Sequence, residues 1–244
     1  MARSTLRRRA IDAHELMDDP DCDPVLLART YDQFRIVNSL VSGWHGIYRD
    51  RIRPLLSPML PSTLLDIGCG GGDIARALAR WAAADGLQLQ VTGIDPDARA
   101  LEFARRTPNP DGVRFLLAES SELVDAAQRF DFVISNHVLH HLSSEQLADL
   151  QIDSELLCRG LALHGDIRRS AVAYGAFSAG TLPFFRRSYI RVDGLTSIRR
   201  SYTTAELRVA ARRGWTVEAL FPFRNLLSYA ASSAARSGGP EPDA

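Results

Sequence analysis

The stretch LLDIGCGGGD, residues 64–73, constrains the fold more than any other part of this chain. An apolar run of strand character meets four glycines within five residues, and helix-type sequence follows. A strand that enters a helix through a tight glycine turn begins a parallel α/β unit, whose next strand returns alongside the first. The pattern then repeats. Strand-like TLLDIG, LQLQVTGID, VRFLLAE, FDFVISN and GLALHGDI alternate with helix-like DIARALARWAAAD, PDARALEFARR and SSEQLADLQIDSELLC, the last capped by Ser143 or Ser144. This alternation predicts a parallel sheet covered on both faces.

The flanks read differently. Residues 1–23 are polar and irregular, whereas Leu27, Tyr31, Phe34, Val37 and Val41 fall at helical spacing. Residues 1–60 are therefore expected as an N-terminal helical extension, 61–231 as the main domain and 232–244 as a disordered tail. Within the main domain, 168–202 breaks the alternation with arginines and with Tyr174, Phe177, Phe184, Phe185 and Tyr189. An insertion of that length predicts a lid or a substrate wall. A helix, TAELRVAARRG, and two apolar stretches, WTVEALFPF and NLLSYAA, close the domain.

Bulk properties narrow the function classes. With 244 residues, 45% of them hydrophobic, the chain can bury one sizeable core. Its formal net charge of zero supplies no basic field for nucleic acid or an anionic membrane. Cys22, Cys69 and Cys158 form no CxxC, so neither a disulfide framework nor a metal site is expected. No apolar run approaches about 18 residues and no signal peptide is recognisable, so a cytoplasmic location is expected.

The glycine turn lies where open parallel sheets bind ligands, beyond the carboxyl end of a strand. A phosphate-binding Walker loop needs a lysine, and this chain has none. GGGDIA from Gly70 matches a dinucleotide GxGxxA formally, but two residues late. Charge discriminates better. Asp66 ends the strand before the turn and Asp73 follows it, a pairing that repels a pyrophosphate and suits a cationic head. Asp95 closes the second strand, where a carboxylate accepts both hydroxyls of a ribose. A nucleoside with a ribose diol, an ammonium group and no phosphate is S-adenosylmethionine.

With LLDIGCGGG (64–72), GIDPD (93–97), LAESSEL (117–123) and FDFVISNHVLHHL (130–142), the sequence resembles the class I S-adenosylmethionine-dependent methyltransferases over residues 60–225. NHVLHHL is similar to the small-molecule branch of ubiquinone/menaquinone and natural-product type. HELMDDP and GDIRRS resemble a bacterial subgroup often encoded beside type III polyketide synthases. The resemblance implies a Rossmann-like methyltransferase fold with a mostly parallel seven-stranded sheet and S-adenosyl-L-methionine as cofactor. It carries over cofactor contacts to Asp66, Gly68, Gly70 and Gly72, to Asp95 with Pro96 beside the adenine, to Glu119 and Ser120 near the adenine amino group, and to Asn136 near the sulfonium. Family members commonly have Asp at the position of Glu119.

His137, His140 and His141 follow the fourth strand at the same sheet edge. Methylating a hydroxyl calls for orientation and a base, and histidine titrates near neutral pH. His140 is the first candidate and His141 the second, with Asp166 at the end of strand five to orient the ring. Arg168, Tyr174 and Phe177 are candidate acceptor contacts, although Arg168 and Arg169 could equally pair nearby acids. The expectation is O-methylation of a small aromatic or polyketide-like acceptor. Methylation of a phenol or quinol ring carbon, a non-catalytic S-adenosylmethionine-binding protein and an NAD-dependent oxidoreductase remain open alternatives.

Overall fold

Alternate side chains along each central strand decide the layering. In the computed structural model, which describes residues 6–181 and 187–231 with the side chains of 35–37 and 39–41 excepted, Leu64 and Leu65 are fully buried on opposite faces of one strand. Phe184, Phe185, the proposed tail and the side chains of Val37 and Val41 lie outside that description.

Helix α1 (Pro24–Val41) opens with proline at its first position and with the Asp23 carboxylate accepting from the amides of Val25 and Leu26. Helix α2 (Trp44–Ile47) and two further helical turns lead to the sheet. The alternating region runs β1 (Ser62–Ile67), α3 (Asp73–Ala84), β2 (Leu89–Asp95), α4 (Ala98–Arg106), β3 (Val113–Leu117), α5 (Ser120–Asp125), β4 (Phe130–Asn136), α6 (Ser144–Leu157) and β5 (Cys158–Ile167). Helices α7 (Ala171–Gly180), α8 (Ile190–Arg200) and α9 (Thr204–Ala210) precede β6 (Trp215–Leu220) and β7 (Arg224–Ala230).

The strands form one seven-stranded sheet in the order β3-β2-β1-β4-β5-β7-β6. Strands β1 to β5 pair in parallel; β7 runs antiparallel between β5 and β6. The chain moves outward from β1 in one direction and resumes at β4 in the other, so the switch point opens between the carboxyl ends of β1 and β4. Leu64, Ile134 and Leu163 pack with α3 and Trp44 on one face. Leu65, Val133 and Ala162 pack with Leu147, Leu150 and Leu207 on the other. This two-sided burial is the Rossmann-like arrangement the sequence implied.

Among its described residues, the insertion after β5 is largely helical, in α7 and α8. The polar N-terminal residues are fastened to α8. The Asp193 carboxylate accepts from the amides of Leu16 and Met17 at 2.8 and 3.0 Å, and the Ala10 amide donates to the Arg199 carbonyl at 3.0 Å. These bonds use backbone donors, so they leave no periodic signature in the sequence.

Candidate active site

A single cleft of about 740 Å³ crosses the switch point and joins the glycine turn to the histidines after β4. At the first end, Gly68, Gly70 and Gly72 all adopt positive φ, the conformation glycine holds at least cost. A Cβ on Gly68 would meet Val138 Cγ2 at 2.6 Å, whereas one on Gly70 would meet nothing within 4 Å. The space over Gly70 is open cleft. Asp95 shapes the turn: one carboxylate oxygen accepts from the Gly70 amide at 2.8 Å, the other from the Asp97 amide at 2.9 Å. Each oxygen keeps a lone pair beyond those bonds.

The carboxylates at this end are held close together. Asp66 is buried, and burial, with Asp73 and Asp95 nearby, pushes its pKa well above the usual carboxylate range. Burial also raises Asp73 and Asp95. Asp66 Oδ2 and Asn38 Oδ1 are buried without a hydrogen-bond partner among the described residues, and both side chains line the cleft. Orphaned acceptors beside crowded carboxyls call for a ligand with a cationic donor. S-adenosylmethionine meets that demand with its ammonium group; a pyrophosphate does not.

At the second end, the parity of β5 places Ala162, His164 and Asp166 on the α6 face. His164 is sealed there between the hydroxyls of Ser135 and Ser154, at 2.8 and 3.0 Å, and burial lowers its pKa to about 3. Asp166, at the strand's carboxyl end, takes the His140 amide at 2.7 Å on Oδ2 and His140 Nδ1 at 2.8 Å on Oδ1. A carboxylate only accepts, so Nδ1 carries the hydrogen and Nε2 faces the other way. It faces Glu15, whose Oε1 lies 3.3 Å away without hydrogen-bond alignment. Burial alone would lower the His140 pKa, but the Asp166 and Glu15 carboxylates outweigh it and bring it up to about 9. Burial raises Asp166 and Glu15, and the adjacent His140 more than reverses it, leaving both below their ordinary values.

His140, the first candidate base, sits between the Asp166 and Glu15 carboxylates. Its ring is only 2% exposed and stands behind Glu15. The Asp166 partnership is as expected. His141 is more open at 31%, with Nδ1 3.2 Å from Asp18 Oδ2 and Nε2 3.8 Å from Glu15 Oε2. His137 takes a left-handed conformation at φ 63° and accepts on Nε2 from Arg224 at 2.8 Å. Burial and that guanidinium lower its pKa well below the usual range. Arg224 also donates to Asn136 Oδ1 at 2.7 Å, so β7 fixes the end of β4.

Of the other expected residues, Pro96, Asn136 and Phe177 line the cleft. Arg168, Tyr174, Glu119 and Ser120 are not among its lining residues. Arg168 lies against the Phe223 ring, and the Ser120 hydroxyl donates to Asp153 at 2.5 Å. The Glu119 amide donates to Glu122 at 2.9 Å, which makes this pair the opening of α5. Arg169 pairs with Glu206 and donates to the Leu6 and Ser201 carbonyls, the plain structural role open to it. Glu15 and Arg224 were missed. HELMDDP marked an acidic segment, but nothing in it locates Glu15 beside His140.

A methyltransferase domain family matches residues 64–152. The ubiquinone biosynthesis O-methyltransferase of Brucella ovis is 26% identical over 171 residues, 67% of this chain and 66% of that protein, so the match spans just under two thirds of the relative. The tRNA U34 carboxymethyltransferase of Photobacterium profundum is 33% identical over 146 residues, 55% of this chain and 43% of that one. Among solved structures, the plantazolicin methyltransferase BpumL in complex with SAH superposes with a TM-score of 0.63 at 14% identity, covering 95% of this chain and 98% of its own. That likeness concerns the fold. No helix among the described residues is long and apolar enough to cross a membrane. The glycine turn and the acidic ends of β1 and β2 lie within the segment that the methyltransferase domain family matches, and in that segment the chain is similar to S-adenosylmethionine-dependent methyltransferases.

Proposed function

We propose that this chain transfers the methyl group of S-adenosylmethionine to an oxygen of a small, largely apolar aromatic or polyketide-like acceptor. The observation that carries the reading is the continuity of the cleft. The acidic nucleoside end and an apolar end walled by Ile167, Ala173, Phe177, Ile198 and Phe223 share one space, with the Glu15–His140–His141 cluster in its lining. Bound there, the cofactor supplies an electrophilic methyl group on sulfur. Asp95 would hold the ribose diol, and the orphaned oxygens of Asp66 and Asn38 would take the ammonium group. Phe177 and its apolar neighbours would orient the acceptor ring, which favours in-line attack by position. Removing the hydroxyl proton falls to the Glu15–His140–His141 cluster, with Asp166 steadying the His140 ring. The O-methyltransferase relatives support oxygen as the methylated atom.

The test is calorimetry with S-adenosylmethionine and S-adenosylhomocysteine, followed by methyl transfer to a panel of hydroxylated aromatics. Roughly micromolar nucleoside binding and methyl ether products are expected. Binding of NADH with none of either nucleoside would overturn the reading. Ring-methylated products would move the acceptor atom to carbon.

A further inference from the structure

We propose that Glu15, His140 and His141 bind a divalent cation of zinc type at the acceptor end of the cleft. His140 Nε2 is buried and, among the described residues, has no hydrogen-bond partner. Its Nδ1 is committed to Asp166, so Nε2 is the nitrogen left for a metal, which would replace the proton there, and it faces a carboxylate. At His141, Nδ1 lies 3.2 Å from Asp18 Oδ2 and 3.5 Å from Arg200 NH1, and Nε2 turns toward Glu15 Oε2 at 3.8 Å. Each imidazole thus has a carboxylate behind it and an outward nitrogen converging on one further carboxylate. Carboxylate–histidine–metal sites are built this way, the outer acid fixing the ring and its tautomer.

The distances agree. One donor atom each from Glu15, His140 and His141 can be chosen so that all three lie within 4.8 Å of one another. Two ligands bonded at about 2.1 Å to one zinc ion stand about 3.0–3.4 Å apart, and Glu15 Oε1 lies 3.3 Å from His140 Nε2. The two rings, 4.3 Å between centroids and inclined at 37°, can fan around a common point. Two imidazoles and one carboxylate suit a borderline cation better than magnesium or calcium. A second triad, His137, His140 and Asp166, also converges, but Arg224 occupies His137 Nε2 and the Asp166–His140 bond uses up the other two donors. The nearest opposing charge is Arg200, whose NH1 lies 3.7 Å from Glu15 Oε1 and 3.6 Å from Asp18 Oδ2; Asp18 can retain it when Glu15 turns to a metal.

All three ligands line the cleft, which leaves coordination positions facing the acceptor. This role rests on the methyl-transfer reading. An acceptor hydroxyl bound there loses its proton to bulk water more readily. Its oxygen forms the new bond to the methyl carbon while the carbon–sulfur bond breaks and leaves its electrons on sulfur.

The experiment uses the untagged full chain, stripped with a chelator and titrated with Zn²⁺ alone by calorimetry and with Co²⁺ by visible absorption. Neither titration involves an acceptor or a methyl donor. One equivalent of Zn²⁺ should bind, and Glu15→Gln and His141→Ala should each weaken binding at least tenfold while S-adenosylhomocysteine affinity holds. The nearly isosteric glutamine and the partly open His141 position guard against simple misfolding. Absence of stoichiometric metal, or affinity unchanged in both variants, overturns the site. Metal binding without nucleoside binding upholds the site and overturns the methyl-transfer reading instead.

Discussion

Asp95 works in two directions. Its oxygens hold the Gly70 and Asp97 amides, which sets the glycine turn, and they leave lone pairs toward the open space over Gly70. Asp95→Ala should weaken S-adenosylhomocysteine binding by about 2–4 kcal/mol, roughly 30- to 1,000-fold, because turn and ribose contact fail together. Calorimetry on the variant checks this, and unchanged affinity would remove Asp95 from the site. Gly70→Ala separates space from folding: its φ of 51° costs a side chain about 1–2 kcal/mol, yet no protein atom obstructs the Cβ. A correspondingly small loss in urea stability with a much larger loss of nucleoside affinity is expected. That Asp66, Gly68, Gly70 and Asp95 share one cleft was legible because each sits at a fixed offset from a strand end, whereas Gly72 packs against Phe115 instead. Pairing Asp166 with His140 was legible for the same reason. The placement of Glu15 against His140 Nε2 was not, since no local pattern links that residue to β4.

At the scale of elements, β1 to β5 were readable from their apolar runs and turn residues, while α7, α8 and the fastened N-terminal segment were not. Helix α7, AVAYGAFSAG, has no polar face to reveal a helical period. The segment over 10–18 holds through backbone donors, and Asp193 carries much of that attachment. Asp193→Ala should therefore speed hydrogen exchange at the Leu16 and Met17 amides, a local loss of about 1–3 kcal/mol. Unaltered exchange there would mean that other contacts hold the segment. The junction of β4, β5 and α6 carries a pH signature of its own. Burial holds His164 neutral down to about pH 3, whereas in the unfolded chain it takes a proton near pH 6.5. The unfolded state binds the extra proton, so this stability is present above about pH 6.5 and is lost as pH falls toward 3. Between pH 6.5 and 5 the loss is about 2 kcal/mol. Urea midpoints across that range should show it, and His164→Leu, less stable at neutral pH, should lose that much of its acid sensitivity.

Across the whole molecule, the two ends of the cleft have different origins. The nucleoside end comes mainly from one continuous stretch, Asp66 through Asp97, folded onto β1 and β2. The reacting end is assembled from remote parts: Glu15 and Asp18 before α1, His140 and His141 after β4, Ile198 in α8 and Arg224 in β7. A local segment can shape the first end, whereas the second exists only when the chain's outer parts meet at the end of β4. Deleting residues 1–22 should separate them. The shortened chain keeps Asp23 as the cap of α1 and retains every strand, so far-UV circular dichroism should remain near that of the full chain. Nucleoside affinity should stay within about tenfold, about 1.4 kcal/mol. Methyl transfer should fall by about 10²–10⁴, because the cluster proposed to act on the acceptor's hydroxyl would lose Glu15 and the carboxylate behind His141. Single-turnover rates at saturating cofactor measure that loss directly. If the shortened chain turns over at the full rate, Glu15 and Asp18 serve only to cover the cleft, and the proton must leave by way of the histidines alone.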